Sequence, residues 1–192
     1  MEEVTIQSNR GINLSAVFYQ NQTDKAIIIC HGFTSNKDRA RLVQNAEKLH
    51  EAGFSVIRFD FGGCGESESA PILVEGQVQD LQGVMLYLKG EGFKEFALVA
   101  ESLGALVALK SFNDKVETMV LWVPVTDKKD STLEKFIIKK NETVSEHNEE
   151  FVVHKKGGRE HTIPKEYFDE RQNVDQEDMC KKVTCPVLII HG

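Results

Sequence analysis

Four short and almost uninterrupted apolar runs, residues 26–30, 55–59, 96–99 and 119–123, alternate with stretches whose apolar residues recur at helical spacing. Strands that are apolar on every residue must be buried on both faces, and a parallel sheet covered by helices on each side is the architecture that does this. Leu42, Val43, Ala46 and Leu49 mark one covering helix that ends near Gly53, and Val78, Leu81, Met85 and Leu88 mark a second. Leu103, Leu106, Val107 and Ala108 open a third directly after the third apolar run. The N-terminus reads differently. Residues 4–8 and 12–19 alternate apolar and polar around Asn9-Arg10-Gly11, the pattern of an antiparallel hairpin. The expected fold class is therefore α/β: a mostly parallel sheet with an N-terminal antiparallel hairpin and helices on both faces, in a single domain spanning residues 1–192. Trp122 and Val123, at the end of the fourth run, read as core.

The alternation breaks between residues 126 and 182, where nearly half of the side chains are charged and most must face water. Residues 151–154 and 161–163 flank a polar, glycine-containing turn and read as a hairpin, and residues 176–182 read as a short helix. An excursion of this length between two core strands is a candidate lid inserted in the domain. Its apolar residues Phe151, Val153, Ile163, Tyr167 and Phe168 either face a substrate or pack on the core. The net charge of −7 argues against nucleic acid as a partner, which needs a concentrated basic surface. No apolar run approaches the roughly 20 residues of a membrane span, and Met1-Glu2-Glu3 lacks the basic and apolar character of a signal peptide. No membrane partner and a cytoplasmic location are the expectations. Cys30, Cys64, Cys180 and Cys185 do not have zinc-site spacing, and reduced thiols fit that compartment.

Ala100-Glu101-Ser102-Leu103-Gly104 places a serine between small residues where an apolar strand turns into an apolar helix. This is the layout of a nucleophile elbow, G-x-S-x-G, with Ala100 at the first glycine position. Ser102 is the candidate nucleophile. Leu103 opens the following helix, so its N–H faces the place where an oxyanion would form, with the helix dipole behind it. A second donor can come from His31-Gly32-Phe33-Thr34, where Gly32 allows close approach and the Phe33 N–H is the candidate. Asp60, beside the glycine-rich loop, reads as a loop anchor rather than a catalytic group. Gly62, Gly63 and Gly65 are not followed by the Lys-Ser or Lys-Thr of a phosphate loop. Glu101 points away from the hydroxyl.

Taken in order, His31-Gly32-Phe33, Phe59-Asp60-Phe61-Gly62-Gly63-Cys64-Gly65-Glu66-Ser67, Ala100-Glu101-Ser102-Leu103-Gly104 and Pro186-Val187-Leu188-Ile189-Ile190-His191-Gly192 resemble the successive landmarks of the α/β-hydrolase family. Within it the chain most resembles bacterial serine esterases and serine aminopeptidase-like hydrolases, including the feruloyl and cinnamoyl esterase group. The resemblance implies Ser102 as nucleophile and the Phe33 and Leu103 amides as oxyanion hole. It implies a small-molecule ester or related acyl substrate (ester, thioester or small amide), with no organic cofactor and no metal. The family's triad runs serine, acid, histidine. The resemblance puts the acid and the histidine beyond Gly192, together with the last strand and helix of the fold, so the strand at 187–190 is expected as an open edge. Asp127 is an alternative acid, against the plainer reading of a solvated charge. His147, His154 and His161 read as solvent-facing, with a lid histidine serving as base the alternative. His31 reads as structural and His191 as a loop hydrogen-bonding group. The competing functional expectation is an inactive hydrolase-like scaffold or truncated remnant that serves as a binding module.

Overall fold

A computed structural model of the chain describes residues 1–126, 143–147, 150–154 and 160–192, with 143–147 described as backbone. The strands of the main sheet are β1 (Glu2–Gln7), β2 (Asn13–Tyr19), β3 (Lys25–Cys30), β4 (Ser55–Phe59), β5 (Glu95–Glu101), β6 (Val116–Trp122) and β10 (Val187–Ile190). They lie in the order β1-β2-β4-β3-β5-β6-β10. β1 pairs antiparallel with β2, and β2 antiparallel with β4; the other pairings are parallel. The hairpin and the parallel sheet are those expected from the residue patterning. A second, three-stranded antiparallel sheet is made of β7 (Thr143–His147), β8 (Glu150–His154) and β9 (Glu160–Pro164). The expected hairpin at 151–163 is the β8–β9 pair; the turn that joins its strands lies outside the described residues.

Among the described residues the helices are α1 (Ala40–Glu51), α2 (Val74–Gly90), α3 (Leu103–Lys110), α4 (Lys165–Gln172) and α5 (Gln176–Lys182). α1 covers one face of the sheet, with Leu42 and Ala46 buried against Val17, Ile27, Ile29 and Val56. α2 and α3 cover the other, in a larger core that Val153, Ile163, Tyr167 and Met179 join from β8, β9, α4 and α5. Val153, Ile163 and Tyr167 thus belong to the core, and Phe151 and Phe168 pack against it. Among the described residues no helix is long and apolar enough to cross a membrane.

One expectation fails at the end of β6. Val123 is exposed and adopts φ +44°, and Trp122 is half-buried beneath the Arg41 guanidinium, 4.9 Å from its ring. The strand ends at Trp122, and the chain turns while the Val123 N–H donates to Ile190 O at 2.8 Å, so the apolar run outlasts the strand by one residue. Next to it, β10 is apolar but open: Leu188 and Ile189 are 58% and 59% exposed.

At the C-terminal end of β4 a charged cluster ties three chain segments together. Asp60 is fully buried; its carboxylate accepts the Lys37 N–H at 2.6 Å and the Glu66 N–H at 2.8 Å, and lies 3.2 Å from Lys37 Nζ. Lys37 Nζ also reaches Glu66 at 2.6 Å and Asp38 at 2.9 Å, and Arg58 pairs with Asp38. Burial works against the Lys37 ammonium, but its bonds to Glu66 and Asp38 and the charge of Asp60 hold its pKa above the ordinary value. Glu66 is held below the usual carboxylate range by its bond to Lys37; Asp38 is too, since Lys37 and Arg58 outweigh its burial. Removing the ammonium leaves a buried carboxylate without its cation, so Lys37→Met should cost about 3–5 kcal/mol in urea unfolding. Because the Glu66 and Asp38 pKa values are depressed on folding, the part of the stability that these two carboxylates supply through Lys37 is present above about pH 4 and lost as pH falls below it. The stability curve of the variant should be flatter than wild type in that acidic window, and equal slopes would contradict the assignment.

Candidate active site

Ser102 occupies a backbone conformation that few L-residues adopt, φ 55° and ψ −117°, between the end of β5 and the first residue of α3. Such a conformation costs about 1–3 kcal/mol and persists where surrounding contacts hold it. Here the Ser102 N–H donates to Trp122 O at 2.9 Å, and the Ser102 carbonyl accepts the Ala105 N–H at 3.1 Å and the Val125 N–H at 3.3 Å. The strand-to-helix turn is thereby fixed from β6 as well as from α3.

Two glycines bring the neighbouring loop against this turn. A Cβ on Gly104 would overlap the His31 carbonyl oxygen and lie 3.0 Å from that of Cys30, so α3 starts directly on the end of β3. A Cβ on Gly32 would lie 3.2 Å from Ser102 Cβ and 3.7 Å from Ser102 Oγ, so the Gly32–Phe33 peptide runs beside the serine side chain. A turn closed by Ser35 N–H to Gly32 O, 3.1 Å, carries Phe33, and Thr34 follows at φ +49°. Leu103 is the first residue of α3, so its N–H has no carbonyl one turn back within the helix. Ser102, Leu103 and the Phe33 loop are in this way brought together at the C-terminal ends of β3 and β5, neighbouring parallel strands paired up to Cys30 and Ala100.

Several of the other residues weighed from the sequence have structural partners. His31 is buried; its Nε2 accepts the Phe61 N–H at 3.1 Å, which leaves Nδ1 as the donor to Gly32 O at 2.8 Å. His31 therefore stands as a neutral strut beneath the loop. His161 is buried with Nδ1 2.9 Å from Gly63 O, contrary to a solvent-facing reading, because β9 docks on the glycine-rich loop. His154 lies 3.1 Å from Glu160, and His191 is exposed after β10. The His147 side chain and Asp127 lie outside the described residues. Among the described residues, none hydrogen-bonds to the Ser102 hydroxyl. Asp60 anchors the glycine-rich loop, and the Gly62 N–H donates to Asp80 at 2.9 Å, so these glycines serve the fold rather than a phosphate. Glu101 pairs with Arg41 at 2.5 Å, away from the hydroxyl. Burial pushes the Cys30 thiol up, which keeps it protonated and inert.

The contacts of three residues went unread in the sequence. Fully buried Asp80 on α2 takes Ser8 Oγ at 2.6 Å and the Arg10 guanidinium at 2.8 and 2.9 Å; its only signal was a carboxylate beside Val78 and Leu81 on an apolar helix face. On α4, Tyr167 stacks on Phe33, with ring centroids 5.1 Å apart and planes at 22°. Burial pushes its phenol up to about 12, so it is neutral at ordinary pH. Arg171, also on α4, donates from Nη1 to Val125 O at 2.8 Å.

Comparison with known proteins places the chain in a family. Two uncharacterized proteins of Mycobacterium tuberculosis strains are each 28% identical over 113 residues, covering 56% of this chain and 39% of theirs. The chain thus matches about two fifths of the length of these relatives. Among solved structures, Est1E of Butyrivibrio proteoclasticus with ferulic acid bound superposes at a TM-score of 0.75, at 23% identity, covering 98% of this chain and 78% of that one. The Pyrococcus furiosus esterase Pf2001 superposes at 0.64, at 28% identity, over 72% of this chain and 58% of that one. Residues 21–191 match the family model Hydrolase_4, described as "Serine aminopeptidase, S33". The chain has the α/β-hydrolase fold and belongs to the Hydrolase_4 family of serine aminopeptidase-like proteins.

Proposed function

We propose that the protein is a serine hydrolase that cleaves a small ester, thioester or amide through an acyl-enzyme on Ser102. The observation that carries this reading is the left-handed backbone of Ser102 with Gly32 pressed against its side chain. Strain of this kind, held by bonds from β6, the segment after it and α3, fits a group that must stand clear of the sheet. Family membership supports hydrolysis, and the esterase neighbours, one of them with ferulic acid bound, support a small-molecule ester.

In this mechanism Ser102 Oγ attacks the carbonyl carbon as its proton passes to a base. The negative charge that develops on the carbonyl oxygen is received by the Phe33 and Leu103 N–H groups, with the α3 dipole behind the latter. The tetrahedral intermediate expels the alcohol, thiol or amine, and water then attacks the acyl group to regenerate the serine. The base and its supporting acid are assigned to residues outside 1–192. Residues 126–182 act as a lid within a single domain, and Tyr167 and Phe168 stand where it meets the Phe33 loop. The second reading is an inactive scaffold that only binds, and activity measurements separate the two.

In the full-length protein, Ser102→Ala should lower kcat/KM for p-nitrophenyl butyrate at least about 10³-fold with little change in melting temperature. A variant as active as wild type would refute the acyl-enzyme on Ser102, and a wild type inert to esters, thioesters and amides would favour the scaffold. Gly32→Ala, which must move the loop by a few tenths of an ångström away from Ser102, should lower kcat about 10- to 100-fold while KM stays within about twofold. An unchanged kcat would remove the Gly32–Phe33 peptide from the reacting geometry.

A further inference from the structure

α4 is polar in composition, Lys-Glu-Tyr-Phe-Asp-Glu-Arg-Gln, yet two of its residues are buried, Tyr167 at 7% and Arg171 at 1% exposure. They are four residues apart and so share one face of the helix. Each reaches a different chain segment beside Ser102. Tyr167 lies flat against the Phe33 ring, and the edge-on contacts of Phe168 with Tyr167 at 5.2 Å and of Phe151 with Phe168 at 5.7 Å hold it there from behind. Arg171 donates to the Val125 carbonyl at 2.8 Å, and the N–H of Val125 in turn donates to the carbonyl of Ser102. A third residue fixes the helix itself: the Glu170 carboxylate accepts the Val74 N–H at 2.6 Å, at the start of α2, where the N-cap residue Leu73 has no side-chain oxygen to offer.

One short helix therefore bridges the loop that carries the Phe33 amide and the segment that braces the elbow. We propose that α4 sets the geometry of the oxyanion hole from outside, with Tyr167 and Arg171 as positioning residues, so that docking of α4 governs the reactivity of Ser102. This rests on the reading of Ser102 given above. The Tyr167 stack fixes the Phe33 loop in the direction perpendicular to its ring, and the Arg171–Val125–Ser102 chain of hydrogen bonds fixes the elbow on the other side. Loss of either lets one donor drift relative to the serine, and a drift of about an ångström is enough to cost about a hundredfold in rate. A positioning role of this kind acts on the reacting geometry, so the loss falls on kcat rather than on KM.

The test uses the full-length protein with p-nitrophenyl acetate and p-nitrophenyl octanoate. Tyr167→Leu and Arg171→Met are each expected to lower kcat about 10- to 100-fold for both esters, with KM within about twofold of wild type. Tyr167→Phe keeps the stacked ring and should recover kcat to within about twofold, which a role for the phenol oxygen would not allow. If Tyr167→Leu does not fold, Phe33→Leu removes the other half of the same stack and should show the same loss in kcat. A Ser102-dependent wild-type esterase whose variants turn over at wild-type kcat overturns the proposal alone. So does a defect confined to KM that grows from acetate to octanoate, since that would make Tyr167 a wall of the acyl pocket. A wild type without Ser102-dependent hydrolysis overturns the reading of Ser102 and this proposal with it.

Discussion

The near-contact of two backbones at Gly32 and Gly104 is the constraint on which the site depends. The first residues of α3 sit directly on the end of β3, and the loop after β3 runs along the Ser102 side chain, because neither glycine carries a Cβ. In a parallel sheet the loops that leave the carboxyl ends of adjacent strands meet at one edge, and here that edge brings together a serine from β5 and a peptide from the loop after β3. Side-chain bulk at either glycine would separate the Ser102 hydroxyl from the amides that the proposed mechanism gives it. The candidate site is thus chiefly a backbone construction, with the Ser102 side chain standing in it.

Holding Ser102 in a left-handed conformation stores strain, and the surrounding structure supplies compensation in layers. β6 accepts the Ser102 N–H, the segment after β6 donates to its carbonyl, and Arg171 braces that segment in turn. On the other side, neutral His31 connects the Gly32 carbonyl to the Phe61 amide, and the Lys37–Asp60 pair ties the far end of the same loop to the residues that follow β4. Charged and polar groups are buried here in hydrogen-bonded sets rather than alone, which keeps their desolvation from being an uncompensated cost. Rigidity of this kind is what the proposed oxyanion site needs, since donors that need not reorient during the reaction lower its barrier most.

Much of this was legible in the residues. Continuous apolar runs such as residues 26–30 specify strands buried on both faces, and the alternation at 4–8 and 12–19 specifies the hairpin, because each period has one structural solution. The elbow was legible because small residues around Ser102 coincide with a change from strand to helix pattern. What escaped were features fixed by contacts distant in sequence. α4 has too few apolar residues to show a stripe, and its burial follows from what Tyr167 and Arg171 touch, Phe33 and Val125. The Arg10–Asp80 pair joins residues 70 apart in the chain. His161 read as solvent-facing because its neighbours are charged, but β9 turns it onto the Gly63 carbonyl. Val123 read as core because an apolar run carries no mark of where the strand within it stops.

The central claim is that the serine at the β5–α3 turn accepts an acyl group. Treating the full-length protein with a fluorophosphonate and locating the adduct by tandem mass spectrometry tests it most directly, because only an activated hydroxyl beside waiting donors reacts at an appreciable rate. The account predicts one phosphonyl group per chain, on Ser102, and its loss in protein unfolded before treatment. An enzyme that hydrolyses esters while Ser102 stays unmodified, or one modified elsewhere, would contradict it.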